Sequence, residues 1–279
     1  MWPLEVALWD LAGKITGQPL WRLLGGNDPT VSLYASTGQR LGAEERAAAV
    51  IGLRDEGFAA VKLRFFHEDP ADDIVIVRAV REAAPDLILL CDANQAWRMP
   101  WDTRTPWEFK TALRVADELA ELDVYWLEEP LDRHDYSGLA ELRRRSKVRI
   151  AGGEGSREMA ELRAYLTHEA LDVYQPDAVW STGILRGVQI AREAQARGAV
   201  YSPHTWGDGL VLLANLHVAA AVSRAPFIEY PYDPPHWTPE RRDFILPSPL
   251  HHFSGAFRLS DAPGLGESVD WDEIEQWRE

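Results

Sequence analysis

From about residue 31 onward, short β-rich runs alternate with amphipathic helical stretches, and turn residues separate them. The runs at 31–36 (VSLYAS), 60–65 (AVKLRF), 87–92 (LILLCD), 124–128 (VYWLE), 149–153 (RIAGG), 172–175 (DVYQ), 199–203 (AVYSP) and 226–229 (PFIE) predict eight strands. Helices are predicted between them at roughly 43–57, 69–83, 106–121, 136–146, 156–167, 183–197 and 208–223. The stretch 43–57 shows the signals: acidic residues in its first turn, an apolar stripe through Ala47, Val50, Ile51 and Leu53, and Gly57 to end it. Eight strands with seven intervening helices form an α/β pattern, the count of a TIM-type (β/α)7β barrel. A doubly wound open sheet is the rival. It accounts less well for chemistry-capable residues at nearly every strand end, because open sheets concentrate them at one switch point.

Two segments stand outside the alternation. Residues 1–26 predict one helix, a break at GQP, a short second turn and a Gly-Gly stop. Residues 252–279 form an irregular acidic tail containing PGLG.

Composition narrows the partners. The chain has 279 residues, 46% of them hydrophobic, enough for one large core. No apolar stretch approaches a membrane span, and the first residues are not a basic-then-apolar signal. Together with a single cysteine, Cys91, this leads to the expectation of a cytoplasmic protein without a disulfide framework. The formal net charge of −15 argues against a nucleic-acid partner, though not against an anionic small substrate. Of twelve tryptophans, Trp97, Trp101, Trp107, Trp126, Trp180, Trp206 and Trp237 lie in or near strand-end segments. There they either wall a pocket or simply pack.

Three acidic residues stand where consecutive buried strands run out into loops: Asp92, Glu128 and Glu154. In a parallel sheet they gather at one end. Crowded carboxylates repel unless protonated or neutralised, and a hard divalent cation such as Mg²⁺, taking few protein carboxylates, is an economical remedy. The same rim carries Lys62 and Arg64, two apart on one strand and so on one face, here inward. Asp177, His204 and Glu229 follow on the sixth to eighth strands, with Asp177 and His204 adjacent. A carboxylate there can hold an imidazole N–H and raise its basicity. Taken singly, the histidine is structural, the aspartate a turn residue and the Lys-x-Arg a solvated pair. Their conjunction on successive strands is what argues for a site.

With the ALWDLAGK…LLGG opening and the strings DANQAW, LEEP, GGE, QPDA and FIEY, the chain resembles the enolase superfamily, specifically its mandelate racemase and muconate lactonizing enzyme-like subgroup, over almost its whole length. The resemblance implies Mg²⁺ on Asp92, Glu128 and Glu154, with Lys62 near the substrate carboxylate. It further implies an Asp177–His204 base dyad and Glu229 hydrogen-bonded, protonated or donating, to a substrate carboxylate oxygen. The implied chemistry is abstraction of the proton α to a carboxylate through an ene-diolate. It also implies a division into 1–30, the remnant of an α+β capping domain; 31–250, the catalytic barrel; and 251–279, a tail that packs on the cap.

Two departures shape the expectation. Many relatives carry Lys-x-Lys on the second strand, with the second lysine as acid or base. Arg64 stays charged and is a poor proton acceptor. That favours one-base chemistry, a sugar-acid dehydratase (lyase), over a racemase or epimerase of a 2-hydroxy or amino acid. The chain also opens at what resembles the last helix of the cap. A truncated, inactive relative is therefore a further alternative, the tail is expected to find little to pack on, and exposed apolar surface near 1–26 and 252–279 is expected to drive homo-oligomer formation. The long stretch from Trp97 to Trp107 reads as a surface loop or a partial cover.

Overall fold

Eight parallel strands carry the architecture of the computed structural model, which describes residues 2–98, 102–222, 225–276 and 278. They are β1 (Thr30–Ser36), β2 (Ala60–Arg64), β3 (Ile88–Asp92), β4 (Val124–Glu128), β5 (Arg149–Gly152), β6 (Val173–Tyr174), β7 (Val200–Tyr201) and β8 (Ile228–Pro231). Consecutive strands pair from β1 to β7, and β8 pairs with the far edge of β1, so the sheet curls around on itself. The Ser202 hydroxyl, just past β7, donates to Phe227 O, just before β8, at 2.7 Å and links the two ends. This is the expected (β/α)7β barrel. Between the strands run α3 (Ala43–Asp55), α4 (Pro70–Ala83), α5 (Phe109–Glu121), α6 (Tyr136–Arg145), α7 (Met159–His168), α8 (Ile184–Ala196) and α9 (Gly209–Val222), preceded by α1 (Trp2–Thr16) and α2 (Leu20–Leu23).

Local chemistry sets the boundaries. Asp69 caps α4 by accepting from Ala71 N at 3.0 Å, with Pro70 at the first helical position, and Asp135 caps α6 through Gly138 N at 2.8 Å. Gly57 follows α3 at φ +97°, and a Cβ there would stand 2.7 Å from Ser254 Cα. The strands β6 and β7 are shorter than the pattern predicts. Pro176 and Pro203 follow them closely and have no N–H to extend the ladder. The α5 helix starts three residues later than predicted, because Trp107 N donates to Gln95 at 3.1 Å and its ring packs on Phe65, just past β2. The α9 helix is buried at every position but Leu210, between the barrel, α2 and α8.

The tail does find a place to pack, against expectation. After α10 (Pro239–Arg242), β9 (Ala256–Arg258) pairs antiparallel with the start of β1, and α11 (Trp271–Gln276) follows. Gly264 bonds both ways to the α1–α2 turn, through Leu20 N at 2.8 Å and Gln18 O at 3.0 Å. Leu265 N donates to Asp10 on α1 at 2.8 Å. The open ladder edge of β1 and the unsatisfied backbone of that turn supply these partners. One face of α1 remains apolar and open, with Leu4, Leu8, Leu11 and Ile15 each at least half exposed. Among the described residues, no helix is long and apolar enough to cross a membrane.

Candidate active site

Inside the barrel, Tyr34, Ala60, Leu90, Trp126, Ala151, Val173 and Phe227 form an apolar plug, with Tyr34 edge-on to Trp126 across the interior at 5.5 Å. Side chains alternate along a strand, so two residues further on the same strands point inward again. Those positions are Ser36, Lys62, Asp92, Glu128, Gln175 and Glu229, a polar layer above the plug. Two residues beyond lie Arg64, Asn94 and Asp177 at the rim, joined there by His204, two residues past Ser202.

Lys62 is fully buried at the centre of the polar layer. Its Nζ donates to Glu128 Oε1 at 2.8 Å and stands 2.9 Å from Glu229 Oε1 and 3.7 Å from Asp92 Oδ2. Burial alone would push it toward the neutral amine, but Glu128 and Glu229 overcome this and hold it well above its usual range. Glu128 also accepts from Gln175 Nε2 at 2.7 Å. Burial pushes Glu128 up and Lys62 pulls it down; the charges of Asp92, Glu229 and Glu154 leave it raised to about 8.

Glu229, on β8, lies in the same polar layer, beside Lys62. Burial works to raise it, yet Lys62, His204 and Arg64 hold it well below the usual carboxylate range. It accepts hydrogen bonds from the Ser36 hydroxyl at 2.7 Å and Thr205 N at 2.8 Å. Lys62 lies beneath the rim, its side chain turned into the barrel among Glu128, Glu229 and Asp92.

At the rim, His204 Nδ1 lies 3.1 Å from Asp177 Oδ2, while Nε2 is 3.6 Å from Glu154 and 3.9 Å from Glu229. Asp177 is itself fixed, accepting from Val179 N at 2.6 Å and Trp180 N at 2.9 Å. An orienting carboxylate on Nδ1 leaves Nε2 as the reactive nitrogen. Burial would lower the imidazole, but Glu154, Glu229 and Asp177 push it up to about 10. It therefore becomes a base near neutral pH only when some of that negative charge is balanced. Arg64 keeps its charge in the field of Asp92 and Glu229, donates to Thr37 O at 3.2 Å and lies over the Trp206 ring at 4.4 Å. Trp206 in turn stacks on Trp237, 5.6 Å away and 8° from parallel.

Above these groups opens a cavity of about 650 Å³ whose lining includes Arg64, Asn94, Trp97, Glu154, Trp180, His204 and Trp206. Arg64, Glu154 and His204 thus reach the cavity, while Lys62, Asp92, Glu128, Asp177 and Glu229 support it from below. Of the tryptophans, Trp97, Trp180 and Trp206 wall the cavity and Trp237 backs it, whereas Trp107 and Trp126 pack. Trp101, with residues 99–100 of the same loop, lies outside the described residues. Sequence reasoning passed over Gln175 and Ser36, although both sit two residues past an inward-facing plug residue.

The donor set fits a hard divalent cation in its chemistry. Asp92 and Glu128 are direct register partners on β3 and β4, and Glu154 follows β5. Glu129, buried beside them, is raised well above the usual range by burial and by the charges of Glu154, Asp92 and Glu128, the mark of crowded negative charge at this end of the barrel. The side chains do not yet converge. Among the described residues, no group of three His, Cys, Asp or Glu is arranged to hold a metal ion, since Glu128 is turned to Lys62 and Gln175 and Glu154 accepts from Trp97 Nε1 at 3.3 Å. Lys62 is the basic partner missing from the picture of three uncompensated carboxylates.

The Enolase C-terminal domain-like family matches residues 44–273. The chain is 30% identical over 278 residues to L-talarate/galactarate dehydratase of Salmonella typhimurium, covering 99% of this chain and 64% of that enzyme. It is 29% identical to D-galactarolactone cycloisomerase of Agrobacterium fabrum, covering 99% of this chain and 72% of the relative. Among solved structures, a mandelate racemase/muconate lactonizing protein from Paracoccus denitrificans, complexed with magnesium, superposes with a TM-score of 0.84 at 30% identity, covering 97% of this chain and 69% of that one. The chain thus spans about two thirds of these relatives' lengths. With its curled parallel sheet and its acids at successive strand ends, the chain belongs to the enolase superfamily, within the mandelate racemase and muconate lactonizing enzyme-like subgroup.

Proposed function

We propose that the chain is the barrel of a Mg²⁺-dependent sugar-acid dehydratase. The observation that carries this reading is the single base: His204 is oriented by Asp177 at 3.1 Å, while the other rim cation near the carboxylates is Arg64, which does not give up its proton. A two-base racemase needs proton transfer on both faces of the α-carbon, and Arg64 serves it poorly. In the proposed reaction His204 Nε2 takes the α-proton, and the electron pair moves onto the substrate carboxylate as an ene-diolate. The β-hydroxyl then leaves as water, protonated by the imidazolium, and the resulting enol tautomerises to a 2-keto acid. Asp92, Glu128 and Glu154 would hold Mg²⁺, which supplies positive charge against the developing second negative charge and draws down the field that keeps His204 protonated. Arg64, held on Trp206, binds a substrate carboxylate or hydroxyl. The deciding experiment incubates an acid-sugar library with the protein and Mg²⁺ in D₂O. Release of a 2-keto acid supports dehydration. Deuterium with inversion at the α-carbon of recovered substrate would replace this reading by racemisation.

In this reading the division into residues 1–30, 31–250 and 251–279 follows the relatives' cap and barrel, and the apolar stripe of α1 meets a second copy of the chain. Sedimentation should show concentration-dependent association that Leu8→Glu with Ile15→Glu weakens. Unchanged association in that variant would remove α1 from the interface.

A further inference from the structure

Three arginines in the cavity lining take no part in the chemistry above, and one of them, Arg98, is already paired with Asp102 at 3.8 Å. Arg133, in the β4–α6 loop, and Arg157, in the β5–α7 loop, both line the 650 Å³ cavity together with Trp97 and Trp180. Arg133 is placed with care. Its N donates to Ala96 O at 3.1 Å, its Nη1 donates to Gly155 O at 2.6 Å, and a Cβ at Gly155 would stand 2.9 Å from that nitrogen. The absent side chain at 155 is what lets the guanidinium lie there. Arg157 also borders the neighbouring apolar cleft beside α1. Among the described residues, neither guanidinium has a carboxylate partner within ion-pair distance, unlike Arg143 and Arg163 elsewhere on the surface. Among the described residues, the only carboxylate lining the cavity is Glu154, which already faces Trp97 and His204. An otherwise acidic protein thus holds two unpaired cations over its own site.

We propose that Arg133 and Arg157 receive a second anionic terminus of the substrate, so that the site selects a dianionic sugar acid over the matching mono-acid. The terminus is a carboxylate or a phosphate, both of which match the guanidinium fork. This deepens the sugar-acid reading and rests on it: the reacting end, with its carboxylate, lies at Arg64 beside His204, and the other end of the substrate reaches toward the β4–α6 and β5–α7 loops.

The test is calorimetric binding to the Mg²⁺-loaded protein of a six-carbon aldaric acid, the aldonic acid of the same configuration, and that aldonic acid's 6-phosphate. At least one dianion should bind about tenfold more tightly than the mono-acid. The arm that does so identifies the terminus. In Arg133→Gln/Arg157→Gln, folded by circular dichroism, the advantage should vanish while affinity for the mono-acid stays within about twofold. Equal affinities, or an advantage that survives the double substitution, overturn the inference. The two readings fail differently. If the aldonic acid is bound and converted but no dianion is preferred, only this inference falls. If no sugar acid binds yet glutarate binds more tightly than valerate through the same arginines, the sugar-acid reading falls and the second anion site stands. If none of these acids binds, both fall.

Discussion

At the scale of single residues, His204 and Lys62 divide the work between chemistry and charge. Replacing His204 by Asn keeps a polar side chain beside Asp177 but removes the proton acceptor. Exchange of the substrate α-proton with solvent, followed by NMR, should drop on the order of 10²–10⁴-fold. Undiminished exchange would transfer the role elsewhere. Lys62 is the buried counter-charge of Glu128 and Glu229. Lys62→Met leaves those carboxylates unpaired and should destabilise the protein by about 3–5 kcal/mol in chelator. A divalent cation would supply charge to Asp92 and Glu128, so the deficit in a thermal melt should shrink with Mg²⁺. An equal deficit with and without Mg²⁺ would argue against metal at these carboxylates.

At the scale of elements, one buried ion pair holds the rim together. Asp233, after β8, accepts from Gly38 N at 2.8 Å and Gln39 N at 2.7 Å in the β1–α3 loop. It also pairs with Arg46 of α3 at 2.9 and 3.1 Å. The same loop lies against the active-site wall, since a Cβ at Gly38 would stand 3.0 Å from the Trp206 ring. Asp233→Asn leaves the Arg46 charge buried without its counter-ion and should cost about 3–5 kcal/mol in urea unfolding. The near-ultraviolet circular dichroism of the Trp206–Trp237 stack should weaken with it. A stability loss without a change in that signal would uncouple the loop from the wall.

At the scale of the whole molecule, His217 on α9 joins the barrel to both ends of the described chain. Its Nδ1 accepts from Trp21 N of α2 at 2.9 Å, so Nε2 carries the proton that meets Leu265 O in the tail at 3.1 Å. Burial lowers this histidine to about 4, below the ordinary value of 6.5. The unfolded chain therefore binds a proton between about pH 6.5 and 4 that the folded protein refuses. Stability is greatest above that window and falls as pH drops through it, by about 3 kcal/mol in all. Urea midpoints should decline between pH 7 and 4.5. In His217→Gln that part of the decline should flatten, and an unaltered slope would assign it to other groups.

Alternation and turn residues made the barrel legible from the sequence, because the side-chain period of a strand is a local property. The β4 strand falls at the predicted residues 124–128, and the other strands lie within a few residues of theirs. The same alternation carried Asp92, Glu128, Asp177, His204 and Glu229 to one end of the sheet. It says which way a side chain leaves its strand, not what it meets. That Lys62 sits between Glu128 and Glu229, that Gln175 holds Glu128, that β9 finds the edge of β1, and that Arg133 and Arg157 share one cavity all depend on the stagger between strands and the path of long loops. Those are contacts between residues far apart in the chain, so only the tertiary structure decided them.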